Sequence, residues 1–107
     1  MPRDSWNPAQ YERFHAEREQ PFWDLAALIR AGDVATVADL GCGTGALTVA
    51  LHRRLAAQRT TGIDSSRAML DQALQHHHAG VSFELADIAT WRPPDPVDLV
   101  FSNAALQ

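Results

Sequence analysis

A run of glycines and four polar residues carry the types and spacing for chemistry in this 107-residue chain. The run is Gly41-Cys42-Gly43-Thr44-Gly45, with Asp39 two positions ahead of it. Asp64, Asp87 and Asn103 come later, each at or just past the end of a short apolar stretch. Glycine takes positive φ readily and lets a ligand lie against bare backbone. Where such a loop opens a helix, free N–H groups and partial positive charge add a polar grip. Two ligand classes suit the pattern. A dinucleotide site wants G-x-G-x-x-G/A and an acidic residue about 20 positions on for the ribose hydroxyls. Gly41, Gly43, Ala46 and Asp64 meet that formally. Two features tilt the choice toward a ligand with an amino group or a positive sulfonium. Asp39 would repel a pyrophosphate, and the third glycine falls at Gly45, giving alternate glycines. A tight turn without a ligand is the plain alternative, disfavoured by a strand before the loop and a helix after it.

Other reactive side chains carry less. His76-His77-His78 suggests a metal, but consecutive helical residues point in different directions and cannot share one face. They sit beside Gly80 at an expected helix end, where imidazoles pair with carbonyls or water. No metal site is expected. Cys42 is the single cysteine, which excludes an internal disulfide and a Cys-rich zinc site. Trp6, Trp23 and Trp91 read as packing residues rather than a base-stacking platform.

The elements that must position the loop follow from periodicity. Asn7 and Pro8 open a first helix bearing Tyr11 and Phe14. Pro21 restarts the pattern, with Phe22, Leu25, Ala26 and Ile29 at helical spacing and Gly32 ending it. Residues 35–40 read as a strand running into the glycine loop, and Leu47, Ala50, Leu51 and Leu55 mark the next helix. Residues 60–64 form a second strand. Ser65 and Ser66 are candidate caps for a helix with Met69, Leu70, Ala73 and Leu74, closed by Gly80. Residues 81–86 form a third strand, Arg92-Pro93-Pro94-Asp95-Pro96 a proline-rich connection, and residues 97–101 a fourth strand. Alternating strands and helices predict an α/β fold, a Rossmann-like, mainly parallel sheet with flanking helices. In such sheets ligands sit beyond the carboxyl ends of the strands, where Asp39, Asp64, Asp87 and Asn103 all fall.

Composition narrows the classes. Hydrophobic residues make up 46%, enough for a packed core. The nine basic residues are all Arg, against thirteen acidic ones, for a formal net charge of −4. That balance disfavours a phosphate-backbone binder, so nucleic acid is not an expected partner. No apolar run approaches the ~20 residues that span a bilayer, and the first residues lack the apolar core of a signal peptide. No membrane partner and a cytoplasmic location are the expectations.

Asp39-Leu40-Gly41-Cys42-Gly43-Thr44-Gly45 resembles the first motif of class I S-adenosylmethionine-dependent methyltransferases. Gly62-Ile63-Asp64-Ser65-Ser66 resembles the second, Ala86-Asp87-Ile88 the third, and residues 97–103 the fourth. Trp6-Asn7-Pro8, Tyr11, Phe14, Ala16-Glu17-Arg18, Pro21, Ala68-Met69 and residues 103–107 extend the likeness to the trans-aconitate 2-methyltransferase subfamily. The resemblance implies S-adenosylmethionine as cofactor. It places Gly41, Gly43 and Gly45 against the methionine half and Asp39 near the amino group. Asp64 would accept from the ribose hydroxyls and Asp87 from the adenine amino group, with Ile88 covering the ring. Ser65 and Met69 would neighbour the adenosine, and Asn103 would lie where donor and acceptor meet. Plainer readings stand beside these: Asp64 and Asp87 as cap and turn residues, Met69 as core, Asp98 as structural.

The resemblance also implies methyl transfer to a small carboxylate such as trans-aconitate. Arg13 and Arg18 are candidates to bind further carboxylates. Family members have a seven-stranded sheet in the order 3-2-1-4-5-7-6, so this chain would supply 3-2-1-4 and stop after the fourth strand. Residues 1–33 would form a helical cap segment and residues 34–107 a partial cofactor-binding domain. A fragment of this kind is expected to bind cofactor weakly, to be poorly active alone, and to self-associate through its exposed fourth strand. A non-catalytic binding module and a nicotinamide-dependent oxidoreductase fragment are the rival readings.

Overall fold

A computed structural model describes residues 19–102. The first expected helix, Trp6, Arg13, Arg18 and Asn103 lie outside these residues. The described chain runs α1 (Glu19–Ala26), β1 (Thr36–Leu40), α2 (Ala46–Leu55), β2 (Arg59–Asp64), α3 (Arg67–Ala73), β3 (Val81–Leu85) and β4 (Leu99–Phe101).

The four strands form one sheet in the order β3-β2-β1-β4, with every pairing parallel. This is the 3-2-1-4 arrangement that the resemblance implies. Right-handed crossovers explain which face each connection covers. From β1 to β2 to β3 the chain steps in one direction, so α2 and α3 lie on the same face. From β3 it returns past β1 to β4, which sends residues 86–98 across the other face. That return makes the boundary between β1 and β4 the point where strand order reverses, and the glycine loop leaves β1 at this boundary.

The core sits under the helices. Val37 of β1 and Phe101 of β4 pack with Leu51 and Leu55 of α2 and with Phe22 and Ala26 of α1. The Phe22 ring meets those of Trp23 and Phe101 edge-on, each with centroids 5.0 Å apart. Such pairs add to the hydrophobic burial of the rings. The end of α2 gathers Arg53 and Arg54, favourable to the helix dipole, and closes through Ala56 at φ 54°.

Several boundaries differ from the periodic reading. The helix around Phe22 begins two residues before Pro21 and ends at Ala26. Its last turn tightens, with Leu28 and Ile29 donating to the carbonyls of Leu25 and Ala26. Leu25 and Leu74, assigned to apolar faces by spacing, are 38% and 50% exposed. The fourth strand starts at Leu99 rather than Val97. Asp98 acts there as a staple, its Oδ2 accepting from the Ala35 N–H (2.8 Å) and the Thr36 N–H (3.3 Å). Its own N–H donates back to Thr36. The structural reading of Asp98 therefore holds.

Candidate cofactor site

The glycine loop bridges the tips of β1 and β2. Gly41, Gly43 and Gly45 all take positive φ, at 78°, 58° and 88°. The N–H groups of Gly41 and Cys42 both donate to the Ile63 carbonyl, at 2.7 and 3.0 Å. The Gly43 N–H donates to Asp64 Oδ2 at 2.9 Å, and the Gly45 N–H to the Cys42 carbonyl at 3.1 Å. Four loop donors are thus used inside the protein. This differs from an anion-binding loop, whose N–H groups point at the ligand.

Asp64 organises the second side of the site. Its Oδ1 accepts from the Ser66 N–H at 2.9 Å, while Oδ2 holds Gly43. Ser66 caps α3 by accepting from the Met69 N–H (3.3 Å). Of the two serines, Ser66 is therefore the N-cap, and Ser65 sits half-buried beside it. The Asp64 carbonyl accepts from the Ala86 N–H, tying the tip of β2 to the end of β3.

Asp39 lies in β1 directly below the loop and is 5% exposed. Its Oδ2 accepts from the Thr48 hydroxyl of α2 at 2.7 Å. Burial pushes its carboxyl up to about 7. The Thr48 bond opposes that rise, and the nearby Asp64 charge adds to it. The Cys42 thiol is buried, and desolvation followed by the two carboxylates raises its pKa far above the ordinary range. It is inert as a nucleophile at neutral pH. The site is therefore acidic, with the Asp64 side chain, a buried Asp39 carboxyl that ionises only near neutral pH, and a loop whose donors are engaged. It suits a ligand bearing positive charge and hydroxyl donors, and it disfavours a pyrophosphate.

Not all the sequence-derived residues converge. Asp39, Gly41, Gly43, Asp64 and Ser65 cluster at the tips of β1 and β2. Gly45 belongs to the loop, but a Cβ there would meet the Phe83 ring at 2.9 Å and Ala73 at 3.0 Å. Packing of α3 and β3 alone thus requires this glycine. Asp87 and Ile88 lie beyond β3, one strand further out. Asp87 is exposed and shapes a turn, its Oδ1 accepting from the Ala89 N–H and its carbonyl from the Trp91 N–H. Met69 is 1% exposed, within the core. Thr48 escaped the sequence reading, although a signal existed. It shares a helix face with Leu51 and Leu55, a polar residue at a core position.

The histidines sit at the opposite end of the sheet. His78 Nδ1 lies 2.9 Å from the Ala79 carbonyl, and its ring meets that of His52 at 5.2 Å. His52 is itself buried against the Thr60 hydroxyl, at 2.8 Å. Among the described residues, no three His, Cys, Asp or Glu side chains are placed to hold a metal ion.

The family model described as "Methyltransferase domain" matches residues 37–107. Trans-aconitate 2-methyltransferases of Escherichia coli O1:K1 and Shigella flexneri are 46% and 47% identical over 102 residues, 95% of this chain. The chain spans 40% of the length of these relatives. Solved structures agree in fold. An S-adenosylmethionine-dependent methyltransferase from Mesorhizobium loti aligns with TM-score 0.61 at 30% identity, over 75% of this chain and 38% of its own. One from Thiobacillus denitrificans, in complex with S-adenosyl-L-homocysteine, aligns with TM-score 0.57 at 28% identity, over 78% and 35%. With the strand order, the loop and the family match in agreement, this chain belongs to the methyltransferase-domain family.

Proposed function

We propose that the chain is the S-adenosylmethionine-binding part of a methyltransferase whose acceptor is a small carboxylate such as trans-aconitate. The observation that carries the reading is the pairing of Asp39 and Asp64 around a positive-φ glycine loop whose N–H groups are already bonded internally. Each Asp64 oxygen accepts one backbone bond, and a carboxylate oxygen has lone pairs for a second, which suits ribose hydroxyls. Asp39 provides negative charge for the amino group. Gly41 and Gly43 let the methionine half approach the backbone, with Gly45 holding the loop's shape. Ser65 borders the adenosine, Asp87 and Ile88 take the adenine, and Met69 supports that side from the core. Asn103, outside the described residues, is assigned to the acceptor side only by the resemblance of residues 97–103 to the family's fourth motif.

The bound cofactor supplies a methyl group on a sulfonium that is already a good leaving group. The chain's own part is to orient the donor and exclude water, so proximity supplies much of the rate. A carboxylate acceptor needs no strong base, and the Cys42 thiol beside the loop is held protonated by burial. The trans-aconitate subclass is supported by the 46% identity.

Calorimetric titration of the 107-residue chain with S-adenosylhomocysteine, and separately with NAD, tests the cofactor reading. Heat with the first and none with the second is expected. Asp64→Asn should weaken binding at least about tenfold, because one loop anchor and the ribose acceptor are both impaired. Preference for NAD, or no heat with S-adenosylhomocysteine, would overturn the reading.

A further inference from the structure

Thr48 is fully buried, with no exposed surface, on the face of α2 that also carries Leu51 and Leu55. A buried hydroxyl costs stability unless it is bonded, and a valine of nearly equal volume would avoid that cost. A helical threonine commonly bonds back to the preceding turn of its own helix. Here the hydroxyl instead leaves the helix and donates to Asp39 Oδ2, nine residues earlier, at 2.7 Å. Among the described residues, Thr48 is the hydrogen-bond partner of the Asp39 side chain. Thr48 is also the third residue of α2, so the bond draws the carboxylate to the first turn, where the helix dipole favours negative charge.

We propose that Thr48 is a positioning residue for cofactor binding: its hydroxyl takes one oxygen of Asp39 and fixes the carboxylate's orientation, leaving the other oxygen for a cationic group of the cofactor. This rests on the cofactor reading above. The same bond favours the charged form of Asp39 against burial and against Asp64, which both favour the neutral acid. Among the described residues, the groups facing Asp39 from neighbouring elements are few. They are Asp64 at the tip of β2, the Cys42 thiol in the loop, Thr48 on α2 and Phe101 in register on β4. His52 of α2 is turned to Thr60, and Arg53 and Arg54 are exposed. No cation among them takes over the role of Thr48.

The experiment uses the full chain as wild type, Thr48→Val, Thr48→Ala and Thr48→Ser. The ionisation of Asp39 is followed through its carboxyl-carbon NMR shift against pH, without ligand. S-adenosylhomocysteine affinity is measured by calorimetry over the same range. In Thr48→Val the Asp39 midpoint should rise by about one unit, and affinity near neutral pH should fall about tenfold, recovering partly as pH increases. Thr48→Ser should restore both, and Thr48→Ala reports the same effect should the valine variant fail to fold. An unchanged midpoint, or equal affinity across folded variants, overturns the proposal. Absence of binding by every protein, wild type included, sinks the cofactor reading instead, and the Asp39 midpoints still decide whether Thr48 governs that carboxylate.

Discussion

Asp39 makes the free protein sensitive to pH in a direction opposite to that of a salt-bridged carboxylate. Its pKa is about 7 in the folded chain against an ordinary value of 3.8. Between those values the unfolded chain has lost the proton while the folded chain still holds it. Asp39's contribution to stability is therefore full below about pH 4, declines as pH rises to about 7, and is flat above. Asp39→Asn keeps an acceptor for Thr48 and removes the ionisation. The variant should lack this decline and be more stable than wild type above about pH 7, as read from urea midpoints across pH. His52 acts the other way. Burial and then His78 lower its pKa, so its contribution is present above its ordinary value of 6.5 and is lost as pH falls through the folded value. The difference between wild type and Asp39→Asn isolates the carboxylate. If the two profiles run parallel, Asp39 is ionised in the fold across the range and the burial argument fails.

At the scale of elements, the glycine loop, α3 and β3 hold one another in place. Gly45 carries φ 88°, and a methyl there would strike Phe83 and Ala73. Gly45→Ala combines backbone strain with overpacking and should cost more than about 1 kcal/mol. Ser66→Ala removes one cap bond and should cost about 1 kcal/mol. Denaturant unfolding of both variants checks the order, and a neutral Gly45→Ala would show that the loop relaxes away from Phe83. Gly62 extends the point. A Cβ there would meet Cys42 and the Phe83 ring, each at 2.8 Å, so bare backbone in β2 lets the loop and β3 close over it. A glycine pattern that reads as ligand approach is thus partly a packing requirement between neighbouring strands.

At the scale of the molecule, the two faces of the sheet are unequally covered. Among the described residues, three helices close one face. On the other, residues 86–98 leave a cavity of about 520 Å³ lined by Thr61, Ser82, Glu84, Trp91 and Pro93 among others. The Trp91 indole N–H reaches Glu84 at 3.1 Å and pins the connection there. Among the described residues, β4 forms one edge of the sheet, and Val100 is 55% exposed beside it. An apolar edge of this kind invites pairing with a second copy. Light scattering is expected to show mass rising with concentration, and Val100→Lys should suppress it. A constant monomer mass would return that edge to solvent. No described helix is long and apolar enough to cross a membrane.

The sequence by itself determined the strand–loop–helix unit around Gly41-x-Gly43-x-Gly45, the placement of Asp39, Asp64 and Asp87 at strand ends, and the alternation that makes a parallel sheet. These are local properties, because period, punctuation and handedness are set within a few residues. Tertiary structure decided what each side chain does there. It gave Asp64 to the Gly43 and Ser66 amides, sent Met69 into the core, assigned Gly45 to packing and bonded Thr48 to Asp39. Those outcomes depend on contacts between elements brought together by the β3-β2-β1-β4 order. Spacing along a single strand or helix carries no record of what lies across from it.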